Sequence, residues 1–166
     1  MTVRPTPDRP GPGQESVWDY PRPPRVEPFT GSIIVEFAGI IIASTTQAWR
    51  VLETSHPPTY YLPRTAFTDG ALRETAGSSW CEWKGAAAYY DMVAGSRAAP
   101  KAAWTYLHPT RGFEQIAGAV AVMASMVDRC TVNGEAVIPQ PGGFYGGWIT
   151  SNLAGPFKGA PGSLGW

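Results

Sequence analysis

The sequence has little of the residue types that mark a secreted or membrane-bound protein. It contains two cysteines in 166 residues, and its start, Met-Thr-Val-Arg-Pro, lacks the apolar segment of a secretory signal. No apolar run approaches the roughly 18 residues that a membrane-spanning helix needs. We therefore expect a cytoplasmic protein with free thiols and no membrane partner.

An excess of charge of either sign is also absent. Thirteen basic residues balance 13 acidic residues, so the formal net charge is zero. Proteins that bind polynucleotides usually carry a basic stripe, and the sequence has none. A polynucleotide partner is therefore not expected, although a single nucleotide stays open as a ligand.

Residues that bind transition metals are few and scattered. They are two cysteines and two histidines, namely Cys81, Cys130, His56 and His108. No pair of them has the short spacing that is typical of structural zinc sites. We expect neither a metal site nor a cofactor.

The N-terminal region is rich in proline and poor in aliphatic side chains. Residues 1–28 contain eight prolines. Residues 1–14 have too little apolar surface to offset chain entropy and are predicted to be a disordered arm. Trp18 and Tyr20 are large anchors, so residues 15–28 are predicted to form an extended strap across the domain.

The C-terminal region is rich in glycine, with eight glycines in residues 142–166. Residues 139–166 are predicted to be a second strap that completes the core or covers sheet edges, which makes 15–166 a single β domain. As an alternative, Gly-Gly amides near Lys158 could cradle a phosphate, but no known phosphate-binding fingerprint is present.

The residues between these regions favour β-strands. Ile33–Phe37 and Ile40–Ala43 flank an Ala-Gly turn, and the Asn133-Gly134 pair suits a type I′ hairpin. Short helical signals are limited to 64–76 and 113–117. Further strands are predicted at 49–54, 59–62, 80–83, 86–92, 104–107 and 120–127.

A faint internal repeat is also present. A shift of 55 residues aligns Trp49 and Leu52 with Trp104 and Leu107, whereas a shift of 49 aligns Cys81 with Cys130 and Gly85 with Gly134. We therefore predict a mainly β protein, a compact barrel-like or two-sheet domain of two pseudo-repeated halves with few short helices. An interface between two such halves is a common place for a ligand cleft.

Several motifs resemble those of a known family. They are Glu53-Thr54-Ser55-His56-Pro57-Pro58, Tyr60-Tyr61-Leu62-Pro63, Cys81-Glu82-Trp83-Lys84-Gly85 and Pro139-Gln140-Pro141-Gly142-Gly143-Phe144-Tyr145-Gly146-Gly147-Trp148. Over residues 16–166 the chain resembles the domain of unknown function 427 family. The resemblance implies a compact β fold in a bacterial cytoplasmic protein. Members are sometimes labelled nucleotidyltransferase-like, but this sequence has no Gly-Ser signature followed by the paired-aspartate motif with which such enzymes hold two metal ions.

The first candidate site is the bend Thr54-Ser55-His56-Pro57-Pro58. An imidazole held by a rigid Pro-Pro turn can transfer protons near neutral pH, and a neighbouring hydroxyl could act as a nucleophile. His56 and Ser55 are therefore candidate catalytic residues, and Thr54 is a candidate ligand contact. The alternative is that the loop side chains satisfy backbone groups.

The second candidate site is the segment Cys81-Glu82-Trp83-Lys84-Gly85. Strand alternation predicts Cys81 and Trp83 on one face, with Glu82 and Lys84 on the other. Cys81 is then expected to be an inert core residue. Lys84 is a candidate anion-binding residue and Glu82 a candidate catalytic base, unless the two only pair at the surface.

The many aromatic rings indicate a pocket as well as a core. Our first hypothesis is a small-ligand pocket, either a binding site or an active site, for an unidentified small molecule. Its predicted ligand-binding residues are Trp18, Thr54, Tyr61, Trp83, Lys84 and Trp148. The second hypothesis is a non-catalytic module for protein–protein interaction or self-association, built on the two straps.

Overall fold

The computed structural model describes residues 4–166 and contains 13 β-strands. They are β1 (Glu15–Ser16), β2 (Arg25–Phe37), β3 (Ile40–Leu52), β4 (Thr59–Tyr61), β5 (Leu72–Cys81), β6 (Gly85–Ala94), β7 (Arg97–Thr105), β8 (Val120–Val122), β9 (Arg129–Val132), β10 (Glu135–Ala136), β11 (Ile138–Pro139), β12 (Trp148–Ile149) and β13 (Leu153–Ala154). The described helices are single 3-10 turns at Val17–Asp19, Arg64–Ala66, Glu114–Ile116 and Ala124–Met126. The prediction of a mainly β protein with few short helices is confirmed.

Two sheets form the body of the fold. One has five strands in the order β10-β9-β2-β3-β4, and the other has four in the order β5-β6-β7-β8. They meet at their edges, where Leu62 and Val120 exchange two backbone hydrogen bonds of 2.8 Å. Two further sheets, β1-β13 and β11-β12, have two strands each, and none of the sheets within residues 4–166 closes into a barrel.

Both predicted hairpins are confirmed. Ala38 and Gly39 adopt positive φ between β2 and β3, and Asn133 and Gly134 do so between β9 and β10. Positive φ at both central positions is what a type I′ turn requires. These two turns fix the register of the five-stranded sheet.

The core lies between the two sheets. Its fully buried side chains include Ile33 and Ile42 from the first sheet and Met92, Val120 and Val122 from the second. The alternating pattern of β2, in which Ile33, Val35 and Phe37 are buried, sends one side of that strand into this core.

Some local predictions were wrong. Residues 72–76, predicted as part of a short helix, belong to β5, and only Arg64–Ala66 is helical. Residues 25–28 of the predicted strap pair with β3 at positions 49–52. The strap arrangement and the internal repeat are not confirmed.

The terminal regions contact the body of the protein through short elements. β1 pairs in parallel with β13, and the amide of Asp8 donates to the carbonyl of Gly155. The predicted disordered arm, residues 1–14, lies in part outside the described residues, and its disorder stays a prediction.

Candidate functional site

A cleft of about 470 Å³ opens beside the junction of the two sheets. Both predicted site segments lie on its wall, the bend through His56 and the hairpin turn through Glu82, Trp83 and Lys84. The remaining wall comes from residues of β3 to β7, from Tyr106 and Met123, and from the segment 140–158. Its rings are Tyr61, Trp80, Trp83, Tyr89, Trp104, Tyr106, Phe144 and Tyr145.

The bend at residues 53–58 is fixed by contacts with both terminal regions. The Ser55 amide donates to the carbonyl of Val17 at 3.0 Å, and the Lys158 amide donates to the carbonyl of Ser55 at 2.9 Å. Ser55 has a φ of 73°, which is unusual for a residue other than glycine. The two bonds hold Ser55 in this conformation and orient His56 toward the cleft.

The side-chain amide of Gln140 determines which ring nitrogen of neutral His56 carries the proton. Gln140 Oε1 accepts from the amide of Gly147 at 3.0 Å, and Nε2 donates to the carbonyl of Lys158 at 2.9 Å. Nε2 is also 3.0 Å from His56 Nδ1, so Nδ1 must be the acceptor of that bond. The proton of a neutral His56 therefore sits on Nε2, which lies 3.5 Å from Glu53 Oε2.

His56 is neutral over most of the pH range. Its pKa is lowered from 6.5 to about 3, mainly because burial disfavours the charged ring. The positive charges of Lys158, Arg22 and Lys84 lower this pKa further. The ring packs edge-on against Tyr145, with 4.7 Å between the ring centroids.

The hairpin between β5 and β6 differs from the predicted strand. Residues 82–84 form its turn, so the predicted alternation of faces does not apply there. Glu82, Trp83 and Lys84 all line the cleft, and Cys81 does so too, half-buried and packed at the margin of a core cluster. The prediction that Cys81 is a buried residue was wrong, and its inertness stays a prediction.

Thr110 holds this turn in place. Its hydroxyl donates to the carbonyl of Trp83, and its amide donates to the carbonyl of Lys84 at 3.1 Å. The Lys84 ammonium lies 5.6 Å from the ring centroid of Tyr106, which is within the range of a cation–π contact. Trp83 and Lys84 are thereby held at the cleft.

Rings from the two sheets meet at the base of the cleft. Trp104 Nε1 donates to the hydroxyl of Tyr61 at 3.3 Å. Gly146 packs flush on Trp104, since a Cβ at this position would lie 2.1 Å from the indole. Burial raises the pKa of Tyr61 and Tyr106, so both hydroxyls remain protonated and able to donate a hydrogen bond.

Four of the predicted site residues lie away from the cleft wall. Trp18 donates from Nε1 to the carbonyl of Pro156 at 2.9 Å, and Thr54 donates to the carbonyl of Tyr20 at 2.6 Å. Their hydrogen bonds connect chain segments.

The other two are fully buried. Trp148 stacks on Tyr60 and donates from Nε1 to the carbonyl of Val122 at 3.1 Å. Ser55 Oγ is buried with no hydrogen-bond partner, so it makes no bond to His56. Trp148 therefore fills the core, and Ser55 lacks the hydrogen-bonded base that would activate a nucleophile.

Gln140 and Glu53 stand in the family motifs but were assigned no role from the sequence, and both line the cleft. Gln140 is buried and makes three side-chain hydrogen bonds. Its position between two prolines predicts an extended loop and not a buried amide.

No group of three or more His, Cys, Asp or Glu side chains within residues 4–166 is arranged to hold a metal ion. Over the same residues, no helix has both the length and the apolar character needed to cross a membrane.

Comparison with known proteins identifies a family. The model of the family described as domain of unknown function (DUF427) matches residues 25–133, more than half of the chain. The match covers every strand of the two main sheets except β10, together with the hairpin turn, and it ends before the segment that carries Gln140 and Lys158. No curated protein matches the chain.

Proposed function

The chain belongs to the DUF427 family, and we propose that its function is to bind a small organic molecule in the cleft beside His56. The observation that carries this proposal is the convergence of rings and polar groups, from both sheets and the C-terminal region, around one space of about 470 Å³. Sites for small organic ligands usually have this size and composition.

The hydrogen bonds around the cleft support a ligand site that is formed before binding. Gln140 and Thr110 fix the bend and the hairpin turn that face each other across the space. A wall whose rotamers are already fixed loses less entropy when a ligand binds. The arrangement thus favours recognition of one shape.

Binding is favoured over covalent catalysis. Nδ1 of His56 is occupied by Gln140, and Nε2 carries the proton and faces Glu53. Ser55 Oγ makes no bond to His56. A general base must reach the proton that it removes, and neither nitrogen of His56 is free to do so.

A fragment screen by thermal shift tests the proposal. We expect aromatic fragments to raise the melting temperature of the wild type at millimolar concentration, because a ligand that binds only the folded state stabilises it. The variant Ser79→Trp places a large ring in the cleft and should abolish these shifts. Ser78→Trp is the matched control, since the neighbouring side chain points to the opposite face of β5.

Two outcomes would contradict the proposal. One is a screen in which no fragment changes the melting temperature. The other is a set of hits that bind Ser79→Trp as well as they bind the wild type and Ser78→Trp.

Self-association is a second candidate function, and it rests on a different observation. Phe144 and Leu164 are 79% and 83% exposed, and both border a groove of about 320 Å³ on the C-terminal segment. Exposed apolar side chains beside a groove are typical of contact surfaces. Sedimentation velocity should then reveal a dimer that Phe144→Ser weakens. A protein that is still monomeric at about 100 μM would reject this candidate.

A further inference from the structure

Two lysines on the cleft wall indicate what kind of molecule the cleft takes. Lys84 belongs to the hairpin turn and Lys158 to the C-terminal region, and the fold brings both to the same space. Building on the proposed binding function, we infer that the ligand is a planar aromatic molecule with one anionic oxygen group, a carboxylate or a phosphate, which Lys84 and Lys158 bind.

Neither ammonium group has an acidic side chain as a partner in the part of the chain that is described. No Asp or Glu carboxylate there lies within 4 Å of either lysine. Lys84 lies over Tyr106, and Lys158 lies 5.5 Å from the ring centroid of Tyr145 while donating to the main-chain oxygen of Trp166 at 3.3 Å. Rings and a main-chain oxygen position the two cations, and no acidic side chain neutralises them.

The two acidic residues on the wall, Glu53 and Glu82, equal the two lysines in number. Glu53 lies 3.5 Å from Arg22, which stands outside the wall and offsets its charge. Glu82 is exposed and carries the other negative charge. With Arg22 included, three cations stand against two anions.

The same lysines act on His56. Burial is the main cause of the lowered pKa of this ring, and the positive charges of Lys158, Arg22 and Lys84 lower it further. The three cations would attract a negative group brought beside His56, whereas burial alone disfavours a charge of either sign. Charge attraction by the lysines therefore favours an anion at this end of the cleft.

The rings account for the aromatic part of the ligand. Trp83, Tyr89 and Trp104 are only partly buried and present a wall on which a flat ring can pack, and aromatic pairs gain energy beyond the area they bury. A small inorganic anion would leave most of the 470 Å³ without apolar contact. A ring with one anionic group uses both features.

Titration calorimetry with four probes at low ionic strength tests the inference. The probes are benzoate, phenyl phosphate, benzamide and acetate. We expect benzoate or phenyl phosphate to bind at least about tenfold more tightly than the neutral benzamide and the ringless acetate, because hydrogen bonds to charged groups are the stronger ones. The comparison of benzoate with phenyl phosphate tells which anionic group is preferred.

Substitutions should locate the effect at the two lysines. Lys84→Met and Lys158→Met are each expected to weaken binding of the anionic probe about tenfold, whereas Lys84→Arg retains it. Arg129→Met removes an exposed cation from β9, away from the cleft, and should leave binding unchanged. If Lys158→Met fails to fold, Lys84→Met still provides the test, because Lys84 lies in a surface turn.

The results separate this inference from the proposed function. Benzamide binding as tightly as benzoate, with no effect of the lysine variants, would overturn the inference while a ligand cleft stands. Acetate binding as tightly as benzoate would overturn the requirement for a ring. If no probe binds and the fragment screen also fails, both the inference and the binding function are wrong.

Discussion

Replacing Gln140 with leucine should destabilise the protein, because this buried side chain joins the His56 bend to the C-terminal region of the cleft wall. Its amide contacts His56, the carbonyl of Lys158 and the amide of Gly147, all at 2.9–3.0 Å. Leucine has a similar volume and makes none of these bonds. The substitution therefore removes hydrogen bonds without creating a large cavity.

The magnitude follows from the number of bonds. Each hydrogen bond contributes about 1 kcal/mol net, so the loss of three lowers the free energy of unfolding by about 3 kcal/mol. Total stabilities of domains are about 5–15 kcal/mol, which makes this a large fraction. For a chain of this size the melting temperature should fall by about 6–12 °C.

Urea unfolding followed by circular dichroism measures the change. Gln47→Leu is the control, since Gln47 is exposed on β3 and such surface substitutions usually shift stability by less than about 0.5 kcal/mol. Gln140→Glu adds a second readout, because a carboxylate at Nδ1 favours the charged ring and should raise the pKa of His56 in an NMR titration. A Gln140→Leu variant as stable as Gln47→Leu would refute the role given to this amide.

Three further predictions concern charge and packing. The pKa of His56 is about 3 in the folded state and its ordinary 6.5 in the unfolded state, so the unfolded state takes up the proton first as the pH falls. The free energy of unfolding, measured in urea titrations, should therefore be full above about pH 7 and fall between about pH 6.5 and 3. This fall should be less steep for His56→Gln and the same as in the wild type for His108→Gln. Arg50→Met should lower the free energy of unfolding by about 2–3 kcal/mol, which is less than the loss of a fully buried ion pair, because its partners Glu15 and Glu27 are 41% and 33% exposed. A loss below about 0.5 kcal/mol, the usual size of a surface effect, would contradict this. Gly146→Ala should displace the indole of Trp104 and shift the tryptophan emission spectrum, and an unchanged spectrum with full fragment binding would count against that contact.

The sequence predicts the hairpins because their signals are local. Asn133-Gly134 and Ala38-Gly39 each place positive φ at a turn between apolar strands, and no distant residue is needed to fix that geometry. The strand β5 was missed because its polar residues, exposed along the sheet edge, carry no alternation of apolar and polar side chains. Tertiary pairing with β6 overrides the weak helical signal at 72–76.

For the site, the sequence predicts which segments matter better than which side chains face the cleft. The motifs that contain His56 and Lys84 do meet across one space. Trp18 and Trp148 look the same as Trp83 in the sequence, but their indole groups donate to carbonyls inside the protein. Which rings fill the core depends on packing between residues that are more than 25 positions apart, which no local pattern encodes.

Cys81 offers a direct report on the cleft, because the second cysteine is protected. Cys130 is buried, and burial raises its pKa to about 12. At about pH 8 its thiol therefore stays protonated and should not react with iodoacetamide, which alkylates the thiolate. Cys81 is half-buried on the cleft wall and should take up a single adduct, which mass spectrometry resolves.

The rate of that alkylation, measured with and without the tightest-binding fragment, tests most directly whether the cleft binds a small molecule. We predict that saturating fragment slows the reaction of Cys81 at least about fivefold, in proportion to the fraction of protein bound. An unchanged rate at saturation would mean that the fragment binds elsewhere, and the cleft would lose its proposed role.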